Sequence, residues 1–541
     1  RRGSYLLLAA ALGLLLVAAA NVSALLLAAS LARSRVRAVQ RALGAPTGRL
    51  LWEALREAGT VAAAGGILGA LLGQSLLPWL LRRGAVVLPD YVAVRPDALV
   101  VAGVAGALAL AALLASGAPA AVAMRSDPAA VLRDRPVGGT GSGRSRKTWS
   151  TLLAGQVAVA LTLTFGALLL VRSYHALATE DLGFRTAEVV RLAVFPAFSD
   201  DTGEARLAAF ERARERVAGH PGVERAGLVW PTVPIWGAIE EPVRWAGMPE
   251  PLRERGLRAG LFAVDPELLP ALEIPLLAGR GFYPGEGAGG AEDAAVAIVS
   301  RALAARLGGP EAALGREIAL GDRDRGARRV IGVVEDARLS GARDPSESNR
   351  LTVYLPLGDV RPSYVTVMAA TAVPAETLEA LLSQEIVAAV PGAALDWVGS
   401  LRYWLGERYA DQRFAPLVLS LFAGASLLIT GGGVFALAAA AVERRRREIG
   451  IRRALGATGA RVSAMAIVQG IRPVAAGALV GILGMWAAGE VLAGSLHGIA
   501  PWDPWAVAAA VAAVLGIAVA ASGLPARQAA RVDPLTCLRA E

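Results

Sequence analysis

The chain has 541 residues, is 55% hydrophobic with a mean hydropathy of +0.48, and carries a formal net charge of +9. That apolar content exceeds what one soluble core absorbs, since such cores stop growing at roughly 250–300 residues, and it places the chain among membrane proteins. The positive charge is not a nucleic-acid footprint, because the arginines crowd at the ends of apolar runs, and the single cysteine, Cys537, excludes a disulfide framework.

A helix crosses the hydrocarbon core with about 20 mostly apolar residues. The first such run covers about 5–32, and the loop 33–58 after it holds Arg33, Arg35, Arg37, Arg41, Arg49 and Arg56. The second run, 59–81, carries Gly65, Gly69 and Gly73, a four-residue spacing that lets helix backbones approach closely in lipid. The third, 98–124, is followed by a D-P-x-x-x-L-R tag at Asp127–Arg133, where Asp as N-cap and the following Pro suit the start of a short helix. Residues 134–148 read as a flexible linker, and a fourth run spans 150–171.

The next 240 or so residues change character: charges and prolines appear and the apolar residues come in short runs. The pattern predicts strands at Val189–Phe195, Val223–Val229, Ala295–Val299, Val330–Val334 and Leu351–Leu355. Helices are predicted at Gly203–Ala218, Ser300–Leu307 and Pro374–Val390. This is an α+β domain in two subdomains, with glycine-rich or charged, mobile loops at 280–292 and 321–328. Its scattered Asp and Glu residues read as solvated faces. Three more apolar runs close the chain, at 415–442, 473–492 and 504–524, and a second D-P-x-x-x-L-R tag lies at Asp533–Arg539.

The stretch R-A-L-G-A occurs at Arg41–Ala45 and again at Arg453–Ala457, an offset of 412 residues that also relates Gly65 and Gly69 to Gly477 and Gly481. Two features sharing one offset indicate a duplicated membrane unit. In each copy a basic elbow follows the first helix; in the second it reads E-I-G-I-R-R-A-L-G-A-T-G-A over Glu448–Ala460, with Gly456 suited to a helix C-cap. The basic loops 33–58, 125–148 and 443–461 belong in the cytoplasm, which puts Arg1 and the segment from about 175 to 412 outside and the C-terminus inside.

No catalytic constellation emerges. The linker's G-S-G-R-S-R-K-T (Gly141–Thr148) lacks the glycine that a phosphate loop needs before its lysine, and Lys147 is the only lysine, so this chain holds no Walker A site. There is no G-x-S-x-G elbow. His175, His220 and His497 have no companions at metal-ligand spacing. The spans carry no chain of ionisable groups such as ion-driven transport uses, and no polar lining is expected between them.

The elbow E-R-R-R-R-E-I-G-I-R-R-A-L-G-A-T (Glu443–Thr458) and its degenerate twin at Arg33–Thr47, with L-E-I-P-L-L-A-G-R-G-F (Leu272–Phe282), A-I-V-S-R-A-L-A-A-R-L (Ala297–Leu307), V-I-G-V-V-E-D-A (Val330–Ala337) and V-Y-L-P-L (Val353–Leu357), resemble the MacB/FtsX-type permeases of ABC systems in their duplicated-permease (ADOP-like) form. The resemblance covers nearly the whole chain. It implies a polytopic α-helical membrane protein of seven transmembrane helices in two pseudo-symmetric FtsX-like units, with a large α+β extracytoplasmic domain. Residues 1–133 would be the last three helices of the first unit, 134–148 a cytoplasmic linker and 149–174 the helix leading outward. Residues 175–412 would be the MacB-like periplasmic core domain and 413–541 the second unit. Setting both copies in one frame predicts about 260 further residues ahead of Arg1, a helix and a first periplasmic domain.

The resemblance further implies mechanotransmission in a bacterial inner membrane: a cytosolic ABC ATPase dimer, holding the ATP–Mg that this chain lacks, moves the elbows, and stiff helices carry that motion to the periplasmic domain for export or extraction of a substrate. A periplasmic adaptor or outer-membrane component would be a further partner, beside the lipid bilayer, with no nucleic acid and no cofactor on the chain itself. Glu448, Ile449, Arg452, Arg453, Leu455 and Gly456, with Arg41, Leu43 and Gly44, would contact the ATPase, while Gly65, Gly69, Gly73, Gly477 and Gly481 would pack helices. The first copy departs from the pattern, since Val36–Val39 replaces E-I-G-I and loses the acidic residue. Two other readings stay open: an FtsX-like signalling or scaffold protein that regulates a periplasmic partner without transport, and an adaptor working without an ATPase.

Overall fold

The computed structural model describes residues 2–32, 39, 46–82, 98–125, 143–197, 203–233, 239–250, 252–287, 295–321, 326–340, 349–444, 449 and 458–530. It divides into two compact units, one of Arg1–Ala176 with Ala410–Glu541 and the other of Leu177–Tyr409. Four long helices come first: α1 (Arg2–Ala32), α2 (Thr47–Arg82), α3 (Ala98–Arg125) and α4 (Gly143–Ala178). The second unit follows with strands β1 (Val189–Phe195), β2 (Val223–Trp230), β3 (Ile239–Trp245), β4 (Leu257–Val264), β5 (Leu276–Gly279), β6 (Val296–Ser300), β7 (Glu317–Leu320), β8 (Ala327–Val334), β9 (Thr352–Pro356), β10 (Val365–Thr371) and β11 (Ala394–Ser400). Its longer helices are α5 (Gly203–Ala218) and α6 (Ala375–Ala389), and α7 (Ala410–Arg444), α8 (Gly459–Leu492) and α9 (Pro504–Ala530) return to the first unit.

Among the described residues, seven helices are long and apolar enough to cross a membrane, namely α1 to α4 and α7 to α9. In lipid a helix satisfies its own backbone, so an apolar run of this length has no better conformation. Several helices outrun their apolar windows. The first turns of α2 are amphipathic, with Ala54 and Ala58 buried and Arg49 and Arg56 exposed. The helix α4 begins at Gly143, so residues 143–148 of the expected linker are helical; residues 134–142 lie outside the described residues.

The helical unit repeats one packing scheme. In the first triplet α1 packs along α3 and α3 along α2, while α1 barely touches α2. In the last triplet α7 packs along α9 and α9 along α8, with less contact between α7 and α8. The two first helices, α1 and α7, pack on each other. Leu153, Val157, Leu161, Phe165 and Leu169, four positions apart, form a stripe on α4 that is buried with Leu419 and Val434 of α7, Val474 and Met485 of α8, and Ala510 and Val514 of α9. The apolar window of α4 is accordingly 67% buried, whereas that of α2 is 0% buried.

The other unit is one eleven-stranded sheet in the order β11-β1-β10-β2-β4-β3-β7-β8-β6-β9, with β5 paired to β8 and β9 paired back to β4. The last pairing closes β4, β3, β7, β8, β6 and β9 into a ring. Strands β11, β1, β10 and β2 form an open sheet covered on one face by α5 and α6. Alternating residues supply that face: Val190, Leu192 and Val194 of β1, and Val365, Val367 and Ala369 of β10. They meet Phe210, Ala213 and Val217 of α5 and Leu378, Leu382 and Ile386 of α6, a helical i, i+4 stripe. Each such buried Val or Leu contributes about 1.5–3 kcal/mol. A separate core fills the ring, from Leu261, Val299, Ile318, Val333 and Val353. Open sheet and ring join through β2 and β4 at only Val229–Val264 and Trp230–Ala263. Of the loop expected to be mobile at 280–292, residues 280–287 are pinned instead: Arg280 holds Glu286 through both carboxylate oxygens, at 3.0 and 2.7 Å. Residues 288–292 and 322–325 lie outside the described residues.

Candidate transmission site in the helical unit

Of the residues expected to meet an ATPase, Glu448, Arg452, Arg453, Leu455, Gly456, Arg41, Leu43 and Gly44 lie outside the described residues, as do both D-P-x-x-x-L-R tags. Ile449 is helical and buried. The second elbow is bounded by the end of α7 at Arg444 and by Thr458, whose extended backbone (φ −68°, ψ 147°) precedes the first residue of α8.

The glycine faces of the two copies differ. On α8, a Cβ at Gly477 would fall 2.7 Å from Val157 Cβ and 2.9 Å from Ala154 Cα, and one at Gly481 would fall 2.8 Å from Leu161 Cδ2 and 3.2 Å from Ala158 Cα. Gly484 stands as closely against Thr162. Glycines at these positions therefore let α8 press onto the backbone of α4. On α2, a Cβ at Gly65, Gly69 or Gly73 would meet no heavy atom within 4 Å among the described residues. The glycine of α2 that does pack is its neighbour Gly66, against Leu108 of α3.

The penultimate turn of α4, at Arg172–Tyr174, is fastened by polar groups. Arg172 pairs with Asp503, and the same carboxylate oxygen accepts from Ala506 N at 2.8 Å, capping α9. The Arg172 guanidinium also lies 5.3 Å from the Trp505 ring centre. Beside it, Ser173 Oγ accepts from the His497 backbone N–H at 2.7 Å, and Arg413 Nε of α7 donates to Tyr174 Oη at 2.7 Å. One level down, Phe165 meets Trp502, with ring centres 6.1 Å apart. The signal was present in Asp503-Pro504, the Asp-Pro helix start already recognised in the two tags.

The spans are less uniformly apolar than expected. Ser23, Gln156, Thr164, Ser426, Thr430 and Ser522 are buried, and Thr164 and Ser522 return their hydroxyls to carbonyls four residues back at 2.7 and 2.8 Å. The buried polar side chains of this unit are uncharged among the described residues. The Thr164 and Ser522 hydrogen bonds each close within a single helix. In the sheet unit, Asp265 corrects the reading of all carboxylates as solvated: it accepts from Leu228 N at 2.8 Å and Leu268 N at 3.0 Å and faces Arg214 Nε at 3.3 Å. Burial pushes its carboxyl up to about 7, against the pull of those donors.

Residues 8–128 and 420–534 both match the FtsX-like permease C-terminal family model, and residues 151–385 match the MacB-like periplasmic core domain model. The chain is 30% identical over 226 residues to the pyoverdine export ATP-binding/permease protein PvdT of Pseudomonas fluorescens, covering 39% of this chain and 33% of that protein. It is 35% identical over 125 residues to the uncharacterized ABC transporter permease YknZ of Bacillus subtilis, covering 23% and 31%. It is 26% identical over 291 residues to the macrolide export ATP-binding/permease protein MacB 1/2 of Paracoccus denitrificans, covering 52% and 42%. The chain thus spans about a third of the length of the first two relatives.

Proposed function

Since the chain belongs to the FtsX-like permease family and carries a MacB-like periplasmic core domain, we propose that it is the permease part of an ABC system that transmits the motion of a cytosolic ATPase to its periplasmic unit. That motion drives export or extraction of a substrate. The observation that carries this reading is the setting of α4, the helix that continues into the sheet unit. It is largely buried among α7, α8 and α9, and clasped near its C-terminal end by Asp503 and Arg413. A helix so fastened moves with the bundle, which is what a transmission shaft requires.

Two further observations support it. The same packing scheme links α1 to α3 and α7 to α9, and one family model matches both stretches, in keeping with a duplicated unit whose halves meet at α1 and α7. The uncharged interior favours mechanical coupling over ion coupling. In this reading ATP–Mg binds the partner ATPase, whose dimer docks on Glu448, Ile449, Arg452, Arg453, Leu455 and Gly456 and on Arg41, Leu43 and Gly44. The sheet unit and Arg1 lie on the periplasmic side of an inner membrane and the C-terminus in the cytoplasm, with a periplasmic adaptor or outer-membrane component as a further partner.

The test is to purify the protein from its host after mild crosslinking, with and without Arg452→Glu/Arg453→Glu. An ABC ATPase recovered with the wild type and depleted from the variant is the expected result. Equal recovery with both, at equal folded yield, removes the elbows as its docking site; absence of any ATPase removes the transmission reading.

A further inference from the structure

We propose that Asn21, Gln156 and Gly433 form a hydrogen-bonded key that fixes α4 to the seam between α1 and α7. In a bilayer interior a side-chain amide has no water to turn to, so its position reports the contact it makes. Gln156 on α4 is 2% exposed, and its Oε1 and the Oδ1 of Asn21 on α1 are both fully shielded. A Cβ on Gly433 of α7 would fall 2.8 Å from Gln156 Oε1 and 3.2 Å from Asn21 Oδ1. The missing side chain thus leaves a notch on α7 into which amides from two other helices converge.

As placed, both converging atoms are oxygens and neither has a hydrogen-bond partner among the described residues. Oxygen and nitrogen of a carboxamide are interchangeable by a half-turn of the group, so turning one of the two would present a donor towards the acceptor of the other. Packing alone gives no reason for two amides to meet at one glycine in the middle of a helical bundle; an apolar pair would fill the notch without the cost of burying polar groups. The repeat adds an independent argument. The 412-residue offset that superposes the two R-A-L-G-A copies places Asn21 on Gly433. The first copy therefore carries the knob and the second carries the notch at one and the same position of the repeat, on the two helices that pack against each other. The neighbouring glycines are not part of it: among the described residues Gly432 meets nothing within 4 Å and Gly431 meets Ile517 of α9.

As a consequence α4 does not slide or turn on the seam, and the helix that continues into the sheet unit is held to both triplets at once. Asn21 and Gln156 are positioning residues; their part in transmission rests on the function proposed above, whereas the key itself does not.

The experiment is hydrogen exchange read by mass spectrometry on the full chain in lipid nanodiscs, comparing wild type with Gln156→Leu, Asn21→Leu, Gly433→Ala, the double variant Gln156→Ala/Asn21→Ala and the triple variant Gly433→Ala/Gln156→Ala/Asn21→Ala. Gln156→Leu keeps the volume and the apolar packing but removes the hydrogen bond. It is expected to speed exchange about three- to tenfold in peptides around Gln156, Asn21 and Gly433 together, the size that interhelical hydrogen bonds in bilayers support. Gly433→Ala is expected to do the same in the wild-type background and to add nothing in the triple variant. Unchanged exchange around Asn21 and Gly433 in Gln156→Leu, or a full penalty for Gly433→Ala in the triple variant, overturns the key. Neither result bears on whether an ATPase is recovered with the chain, so the two proposals fail separately.

Discussion

The guanidinium carbon of Arg191 lies 4.2 Å from the centre of the Trp404 ring, and Arg191 is fully buried. No carboxylate forms an ion pair with it among the described residues. Its Nε donates to the Trp397 carbonyl and its Nη1 to the Val233 carbonyl, each at 3.2 Å. Burial pushes its pKa down to about 9, with Asp396 opposing the shift. A cation in this setting is stabilised by the face of the indole and by backbone dipoles. The contact joins β1, the strand that follows α4, to the short helix Leu401–Arg408, which precedes α7. A double-mutant cycle of Arg191→Met and Trp404→Leu, followed by chemical unfolding of the sheet unit, is expected to give a coupling of about 1–2 kcal/mol. A coupling near zero means that the two side chains only share space.

The glycine face of α8 makes a sharper contrast. Gly477→Ala forces a methyl group to within 2.7 Å of Val157 Cβ and 2.9 Å of Ala154 Cα, and backbone atoms cannot step aside as a side-chain tip can. The expected cost is about 1–3 kcal/mol, the range for overpacking. Gly69→Ala, at the repeat-equivalent position of Gly481, meets nothing within 4 Å among the described residues and gains helix propensity, so it is expected to be neutral or slightly stabilising. Thermal unfolding in nanodiscs reads both. Equal effects at the two sites would remove the assigned difference between the two helix faces.

These cases also show which parts of the architecture were legible in the amino-acid sequence. Long apolar runs locate membrane helices well because the bilayer sets their length, yet the amphipathic start of α2 falls outside any such window. Strands with compact β-branched runs, such as β1 and β8, stood out. The strand β3 did not, since Pro242 and two glutamates mask it; nor did β10, whose seven residues are all buried and so do not alternate. Ring closure by the parallel pairing of β4 with β9 joins Leu261 to Val353, and nothing local announces a contact of that range. At the candidate site the spacing of Gly477 and Gly481 pointed to close packing, but the same spacing on α2 points to no neighbour within the described chain. In the run Gly431–Gly433, only three-dimensional packing distinguishes which glycine accepts the two amides.

The clasp at the end of α4 separates into two contributions. Asp503 both pairs with Arg172 and accepts from Ala506 N. Asp503→Asn keeps an acceptor for the cap and loses the ion pair; because Arg172 is 38% exposed, that loss is expected to be at most about 1 kcal/mol. Asp503→Ala loses the cap as well, at about 1 kcal/mol more. Arg172→Ala is expected to add little in the Asp503→Asn background beyond loss of its contact with Trp505. Full additivity of the two charge removals in thermal unfolding would show that the pair does not act as a unit.

Asp265 makes the stability of the sheet unit depend on pH in an uncommon direction. Its folded carboxyl titrates at about 7 because burial disfavours the anion, against 3.8 for the ordinary side chain. The folded state therefore holds its proton at pH values where the unfolded state has released it, and the stabilisation this provides is greatest below the ordinary value and is lost as pH rises through 7. Between pH 5 and pH 8 the loss is on the order of 2–3 kcal/mol. Asp265→Asn stays neutral throughout and retains an oxygen for Leu228 N and Leu268 N, so its unfolding midpoint is expected to change much less over that interval. The wild type is thus expected to lose stability relative to the variant as pH rises from 5 to 8. Parallel pH profiles would mean that Asp265 is already ionised at pH 5, held as an anion by Arg214 and the two backbone donors.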